Sequence, residues 1–185
     1  MVLIFSAPSG AGKSTLVQYL LSERNDLEFS ISATTRAPRG TEVHGKEYYF
    51  LSIDDFNNRI SNNEFVEYEQ VYKGCYYGTL KSEVERIEQK HHHAVFDIDV
   101  KGGLNVKHIY GNQALAIFVA PPSIEILGQR LKNRGTDSEE KIRERLAKAE
   151  EECSYALQFD HIIVNDDLNA AKKEIKELVA RFLDK

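Results

Sequence analysis

Val2-Leu3-Ile4-Phe5-Ser6, running straight into Ala7-Pro8-Ser9-Gly10-Ala11-Gly12-Lys13-Ser14-Thr15, decides how this chain is read. An apolar run of strand length feeds a glycine-rich turn, and Leu16, Val17, Leu20 and Leu21 then recur at helical spacing. Strand, tight loop and helix, with Lys-Ser at the helix start, is the arrangement in which successive backbone N–H groups wrap a phosphate chain. Gly10 and Gly12 let the backbone curl, and the helix N-terminus adds partial positive charge. Lys13 is placed to reach the β- and γ-phosphates, and the Ser14 hydroxyl to ligate Mg²⁺. One departure stands out, because the pattern opens with Gly and Ala7 occupies that place. At a positive φ the methyl costs on the order of 1 kcal/mol, and at a negative φ nothing. An accidental glycine-rich turn in a nucleotide-free α/β protein is the rival, and the strand–loop–helix context argues against it. The stretch therefore predicts a nucleoside triphosphate site.

The 185 residues suffice for one compact domain with a substantial core. A net charge of −5 argues against a general nucleic-acid binder, so local cationic clusters are assigned to a small anionic ligand. Cys75 and Cys153 fit no metal-ligand spacing, which suits a reduced, cytoplasmic setting. No apolar run approaches the ~20 residues of a membrane span, and the first residues read as a strand, without a signal-peptide layout.

Beyond the first helix the pattern changes. Residues 29–32 alternate like a strand, and 34–40 read as a polar loop. Residues 48–51 and 65–68 read as short strands around a helix that opens at Ile53 and ends near Asn62. Residues 71–77 read as a hairpin turning at Lys73-Gly74. This β-rich insertion interrupts an α/β frame that resumes at Leu80 with a helix reaching His91-His92-His93. That histidine run reads as an exposed helix end, and not as a metal site. Strands follow at 94–99, 114–120 and 159–164. A short helix after Gly102-Gly103 runs through Val106, one capped by Ser123 follows, and a Thr136/Glu139 capping box opens the next. Leu168, Ala171, Ile175, Leu178, Val179 and Phe182 stripe the terminal helix. Strands alternating with helices predict a parallel sheet with right-handed crossovers.

Arg36 and Arg39 bracket Ala37-Pro38 and offer planar forks for a second anion. Tyr48 and Tyr77 add phenols that can donate to phosphate, and Ser32, Glu67 and Thr79 lie in the same insertion. A carboxylate at Glu67 accepts from adjacent ring and amino N–H groups, which guanine presents and adenine does not. Asp97 and Asp99 end a buried strand, where ligands gather in open α/β sheets.

The ordered set of phosphate loop, Ser-Ala-Thr-Thr-Arg-Ala-Pro-Arg (residues 32–39), Gly-Lys-Glu-Tyr-Tyr-Phe (45–50), Asn-Glu-Phe-Val-Glu-Tyr (63–68), Tyr-Tyr-Gly-Thr (76–79), Asp-Ile-Asp-Val-Lys-Gly (97–102), Arg-Leu-Lys-Asn-Arg-Gly-Thr (130–136) and Val-Asn-Asp-Asp (164–167) resembles guanylate kinases across essentially the whole chain. The resemblance implies a phosphate-loop nucleoside monophosphate kinase fold: a core of 1–31, 81–123 and 153–185, a GMP-binding insertion of 32–80 and a helical lid of 124–152. It implies Mg²⁺-dependent phosphoryl transfer from ATP to GMP in purine nucleotide metabolism, with no membrane, nucleic acid or obligatory protein partner. By the same likeness Ser32, Glu67, Thr79 and Asp99 match base-reading positions, while Arg36, Arg39, Tyr48 and Tyr77 match those holding the GMP phosphate. Asp97 is expected toward the Mg²⁺ water shell or the phosphate-side arginines. Arg134 and Arg145, with Arg39 and Arg130 nearby, match cations that close over the phosphates. Asn165-Asp166 resembles the segment that contacts adenine, and it equally suits the N-cap of the terminal helix. Ala33 and Lys101 depart from the usual polar residue and Gln.

A scaffold module of guanylate-kinase type is the rival from another class. Such modules are expected to have eroded phosphate loops and lid arginines, whereas Gly10, Gly12, Lys13, Ser14, Arg39, Arg134 and Arg145 are all present. Another monophosphate kinase is disfavoured by Ser32, Glu67 and the paired tyrosines.

Overall fold

All five residues of the first strand are buried, as a continuous apolar run requires when helices cover both faces of a sheet. The structure, a computed structural model, describes residues 1–135 and 137–184, with the backbone alone at Tyr72 and Arg134. Its elements in chain order are β1 (Val2–Ser6), α1 (Lys13–Glu23), β2 (Leu27–Phe29), β3 (Ala33–Thr34), β4 (Tyr49–Phe50), α2 (Ile53–Ser61), β5 (Phe65–Tyr72), β6 (Cys75–Leu80), α3 (Lys81–Glu88), β7 (His93–Asp97), α4 (Val100–Tyr110), β8 (Ala114–Ala120), α5 (Ile124–Arg134), α6 (Glu139–Ser154), β9 (His161–Val164) and α7 (Leu168–Leu183).

A five-stranded sheet runs in the order β2-β7-β1-β8-β9, with β8 parallel to both β1 and β9. The predicted parallel α/β frame is what forms. Ile4, Phe5, Ile117 and Phe118 fill its centre, and Leu16, Leu20, Ile175 and Val179 cover it from the helices. A second sheet, β4-β3-β6-β5, carries the expected β-rich segment. Its β5–β6 hairpin turns at Gly74, whose φ is +74°. Contacts divide the chain into two compact units, one of Met1–Leu27 with Val95–Lys185 and one of Glu28–Ala94.

Several boundaries differ from the sequence reading. Strand β2 covers Leu27–Phe29, leaving Ser32 outside it, and the brief β3 lies where the pattern read as loop. The helix after Asp99 is longer than expected, starting at Val100 because the Asp99 carboxylate caps it through the amides of Lys101 and Gly102. Helix α6 is capped by Ser138, whose hydroxyl accepts from the Lys141 amide, while the expected cap at Thr136 lies outside the described residues. Asp167, and not Asn165 or Asp166, caps α7. The histidine run is exposed only at His91: His92 meets the Glu28 carboxylate at 3.2 Å, and His93 opens β7. Among the described residues no cluster of His, Cys, Asp and Glu could hold a metal, and no helix is long and apolar enough to cross a membrane.

Candidate active site

In the first unit the loop between β1 and α1 turns on Gly10 and Gly12, at φ +96° and +95°, conformations open to glycine. Ala7 keeps a negative φ, so its methyl adds no strain and the missing first glycine costs nothing. The Ala11 amide closes the turn onto the Pro8 carbonyl at 3.1 Å. Helix α1 then starts with no acidic residue in its first turn and no side-chain cap among the described residues. Its leading N–H groups and dipole are thus left to an external anion.

A cavity of about 590 Å³ opens there, lined by Ala7–Gly10, Gly12–Thr15, Asp97–Asp99, Arg130, Arg145, Lys148 and Glu152. The Lys13 ammonium pairs with the Asp97 carboxylate and donates to the Ile98 carbonyl at 3.3 Å. Strand β7 thereby holds the lysine over the loop. Ser14 and Thr15 are exposed on the first turn of α1. Arg145, from α6, donates to the Ser9 hydroxyl at 2.5 Å and lies 3.4 Å from Asp137. Arg130, from α5, donates to the Asn165 carbonyl at 2.9 Å. Leu127 and Leu131 of α5 pack against Ile142 and Ala149 of α6, which fixes the helix pair that carries both arginines. The Arg134 backbone ends α5, but its side chain lies outside the described residues.

Two lining residues carried no signal in the sequence. Lys148 adds a cation one turn beyond Arg145, and Glu152 lies 3.8 Å from it. Burial pushes the Glu152 carboxyl above the usual range, and the charge of Lys148 opposes this only in part. Asn165 also plays a part its sequence did not announce. It is 6 % exposed, and its amide donates to the Ala11 carbonyl at 2.7 Å, pinning the phosphate loop from the end of β9. Asp166, beside it, is exposed.

In the second unit Arg36, Tyr48 and Tyr77 come together. The Arg36 Nε donates to the Tyr77 hydroxyl at 3.1 Å, and the guanidinium carbon sits 4.8 Å from the centre of the Tyr48 ring. The two tyrosine rings meet edge to face at 5.9 Å. Glu42 closes this cluster with both carboxylate oxygens on Arg36, at 2.6 and 2.8 Å. Arg39 is exposed, and its amide donates to the same carboxylate at 2.8 Å. Hydrogen bonds from Arg36 and then from the Arg39 amide pull the Glu42 carboxyl down to about 2, so it stays ionised.

On the neighbouring hairpin Glu67 stands opposite Thr79, whose hydroxyl donates to its carboxylate at 3.0 Å. The Ser32 carbonyl accepts from the Tyr49 amide at 2.9 Å, holding that segment against β4. Ala33 is fully buried with Phe56, Phe65 and Leu80, so the missing polar group there is replaced by core packing. Glu83, unremarked in sequence, is buried and accepts from the Ile31 amide, the Tyr49 hydroxyl and Arg86. Burial alone would raise its pKa, but these donors outweigh it and hold the carboxyl below the usual range.

Comparison with known proteins agrees with this geometry. A family profile described as Guanylate kinase matches residues 1–182. A guanylate kinase of Bacteroides thetaiotaomicron is 59% identical over 184 residues, covering 100% of this chain and 90% of that protein. One from Porphyromonas gingivalis is 56% identical, covering 100% and 98% respectively. The crystal structure of guanylate kinase from Anaplasma phagocytophilum superimposes with a TM-score of 0.75 at 28% identity, over 100% of this chain and 87% of that one. With the phosphate loop and the clustered Arg36, Tyr48 and Tyr77 in hand, the match along the whole length places the chain in the guanylate kinase family.

Proposed function

We propose that the protein transfers the γ-phosphoryl group of ATP to GMP, giving ADP and GDP, with Mg²⁺ as the accompanying ion, in cytoplasmic purine nucleotide metabolism. The observation that carries the reading is the phosphate loop: two glycines at positive φ, an anion-ready helix start and Lys13, all on one cavity.

The attacking GMP phosphate oxygen is already anionic, so no general base is needed. The demand is electrostatic: two polyanions must meet in line, and charge on the moving phosphoryl must be stabilised. On the ATP side the reading assigns residues 7–15 to the phosphates, through the backbone N–H groups that the loop and the start of α1 leave free for them. Lys13 serves the β- and γ-oxygens, and Arg145 and Arg134 the transferring group, with residues 124–152 acting as a lid. Asn165 and Asp166 are assigned to the adenine end. Hard oxygen donors suit Mg²⁺, and the exposed Ser14 hydroxyl with Asp97 on the same cavity supplies that chemistry. Held there, Mg²⁺ would supply positive charge to offset the negative charge of the triphosphate.

On the GMP side Arg36, Arg39, Tyr48 and Tyr77 are assigned to the phosphate, and Ser32, Glu67, Thr79 and Asp99 to the base. The Thr79 hydroxyl holds the Glu67 carboxylate ready to accept from adjacent N–H donors. Adenine turns a ring lone pair toward that carboxylate, and leaving such groups unpaired separates substrates by ~10⁴.

A coupled ADP-release assay over GMP, AMP, CMP and UMP tests the proposal. GMP is expected to be turned over far faster than the other three. Comparable turnover of AMP would overturn the base assignment, and ADP release with none of them would favour the non-catalytic scaffold reading.

A further inference from the structure

The Arg36–Glu42 pair poses a chemical puzzle. A site meant for a phosphate dianion holds a carboxylate on its principal arginine, and like charge there opposes binding. Arg36 has five N–H groups to give. Among the described residues Nε is given to Tyr77, Nη1 to the Ala37 carbonyl and to Glu42, and Nη2 once to Glu42. One Nη2–H remains, together with the Tyr77 O–H, since a phenol that accepts one bond still has its own proton to donate.

We infer that Glu42 is a positioning residue for the GMP phosphate: it trades part of the cradle's charge for a fixed Arg36 guanidinium and a fixed Arg39 backbone. The inference rests on the assignment of Arg36, Arg39, Tyr48 and Tyr77 to that phosphate. Three features of the geometry favour a fixed support over an anion that substrate must displace. The carboxylate binds two separate points of one loop, the guanidinium of Arg36 and the amide of Arg39, so its departure would release the loop as well as the arginine. The guanidinium carbon also lies 4.8 Å from the Tyr48 ring centre and 5.7 Å from that of Phe50, and since these rings are 5.9 Å apart they back it from one side while Glu42 holds it by its N–H groups. Finally, the Arg36 and Glu42 side chains are only 11% and 23% exposed, so water does little to loosen them. A guanidinium held this way meets phosphate with a single N–H and not with a fork. Arg36 then takes a single phosphate oxygen, which leaves the others to Arg39, the tyrosines and the attack. Preorganisation of this kind lowers the cost of ordering side chains on binding.

Glu42→Gln tests the inference, because it keeps the side-chain shape and removes the charge that enforces the bidentate contact. Binding of GMP and of guanosine, which lacks the phosphate, is measured by titration on the wild type, Glu42→Gln, Arg36→Ala and the double variant. Glu42→Gln is expected to weaken GMP about tenfold while guanosine is unchanged, since charge-assisted bonds are worth that much or more. In the Arg36→Ala background the same change is expected to weaken GMP no further, because the guanidinium it positions is gone while a Gln oxygen can still accept from the Arg39 amide. In turnover, KM for GMP is expected to rise with KM for ATP unmoved. Unchanged or tighter GMP binding by Glu42→Gln overturns the inference, tighter binding marking Glu42 as a competing anion. Parallel loss of guanosine also overturns it, by showing a general collapse of the unit. If Arg36→Ala itself leaves GMP binding at the wild-type level, the cradle assignment is what has failed.

Discussion

Gly12→Ala is the perturbation with the most to say about the phosphate loop. At φ +95° and ψ 14°, Gly12 lies where an L side chain is strained, which costs roughly 1–2 kcal/mol. The added methyl would also overlap the side-chain amide of Asn165, the group that holds the Ala11 carbonyl. Displacing that amide breaks a buried hydrogen bond worth about 1 kcal/mol and leaves its acceptor exposed to further loss. The two effects sum to about 2–3 kcal/mol, and a chain of this size loses about 2–4 °C in Tm per kcal/mol, so the expected fall is roughly 4–12 °C. Thermal and urea unfolding of Gly12→Ala, Asn165→Ala and the double variant form a cycle. Once Asn165 is truncated the methyl has nothing to strike, so the double variant should lose less than the two single losses combined. Strict additivity would refute the idea that Gly12 is required because Asn165 occupies the space above it.

Two other outcomes are expected. Glu28 carries Arg86, Lys90 and His92, and although burial raises its pKa, these partners outweigh it and lower the carboxyl to about 2. A depressed folded-state value stabilises above the unfolded pKa and is lost as pH falls toward the folded one. Glu28→Gln should therefore flatten the acid limb of stability between the ordinary carboxylate value of 4.5 and about 2, read by circular dichroism; an unchanged limb would place that sensitivity elsewhere. At Gly78 a methyl would lie 2.7 Å from the Glu67 carbonyl and 2.8 Å from the Tyr68 Cβ. Gly78→Ala should push β5 away from β6, misplace Glu67 against Thr79 and weaken GMP more than ATP. Wild-type GMP affinity in this variant would show that the register does not govern the base pocket.

The phosphate loop was legible because its physics is local: glycines at fixed offsets, a preceding apolar strand and Lys-Ser at a helix start. The β5–β6 hairpin was legible for the same reason, since Lys73-Gly74 marks its own turn. Asn165 was not, because its partner Ala11 lies 154 residues away and nothing in Val-Asn-Asp-Asp names a backbone carbonyl as its target. Glu83 carries no signal of its own in a helix rich in charge. It became a buried hub only once folding brought the Ile31 amide and the Tyr49 hydroxyl to it. Glu42 and Glu152 were missed likewise, as carboxylates in charge-rich stretches. The cap of α6 illustrates a different limit: Thr136 and Ser138 both precede acidic residues, and the pattern alone chose the earlier one, whereas the helix begins after Ser138.

The bond between Asn165 and Ala11 also orders events in time as the chain is made. The glycine loop is made well before the amide that pins it, which lies 154 residues further along the chain. β1, moreover, lies between β7 and β8, so a nascent chain must keep an apolar strand without sheet neighbours until His93–Asp97 and then Ala114–Ala120 have been made. ATP affinity is in this sense a late-arriving property of an early-made segment: a fragment stopped short of residue 165 carries the complete nucleotide motif and lacks the means to hold its shape.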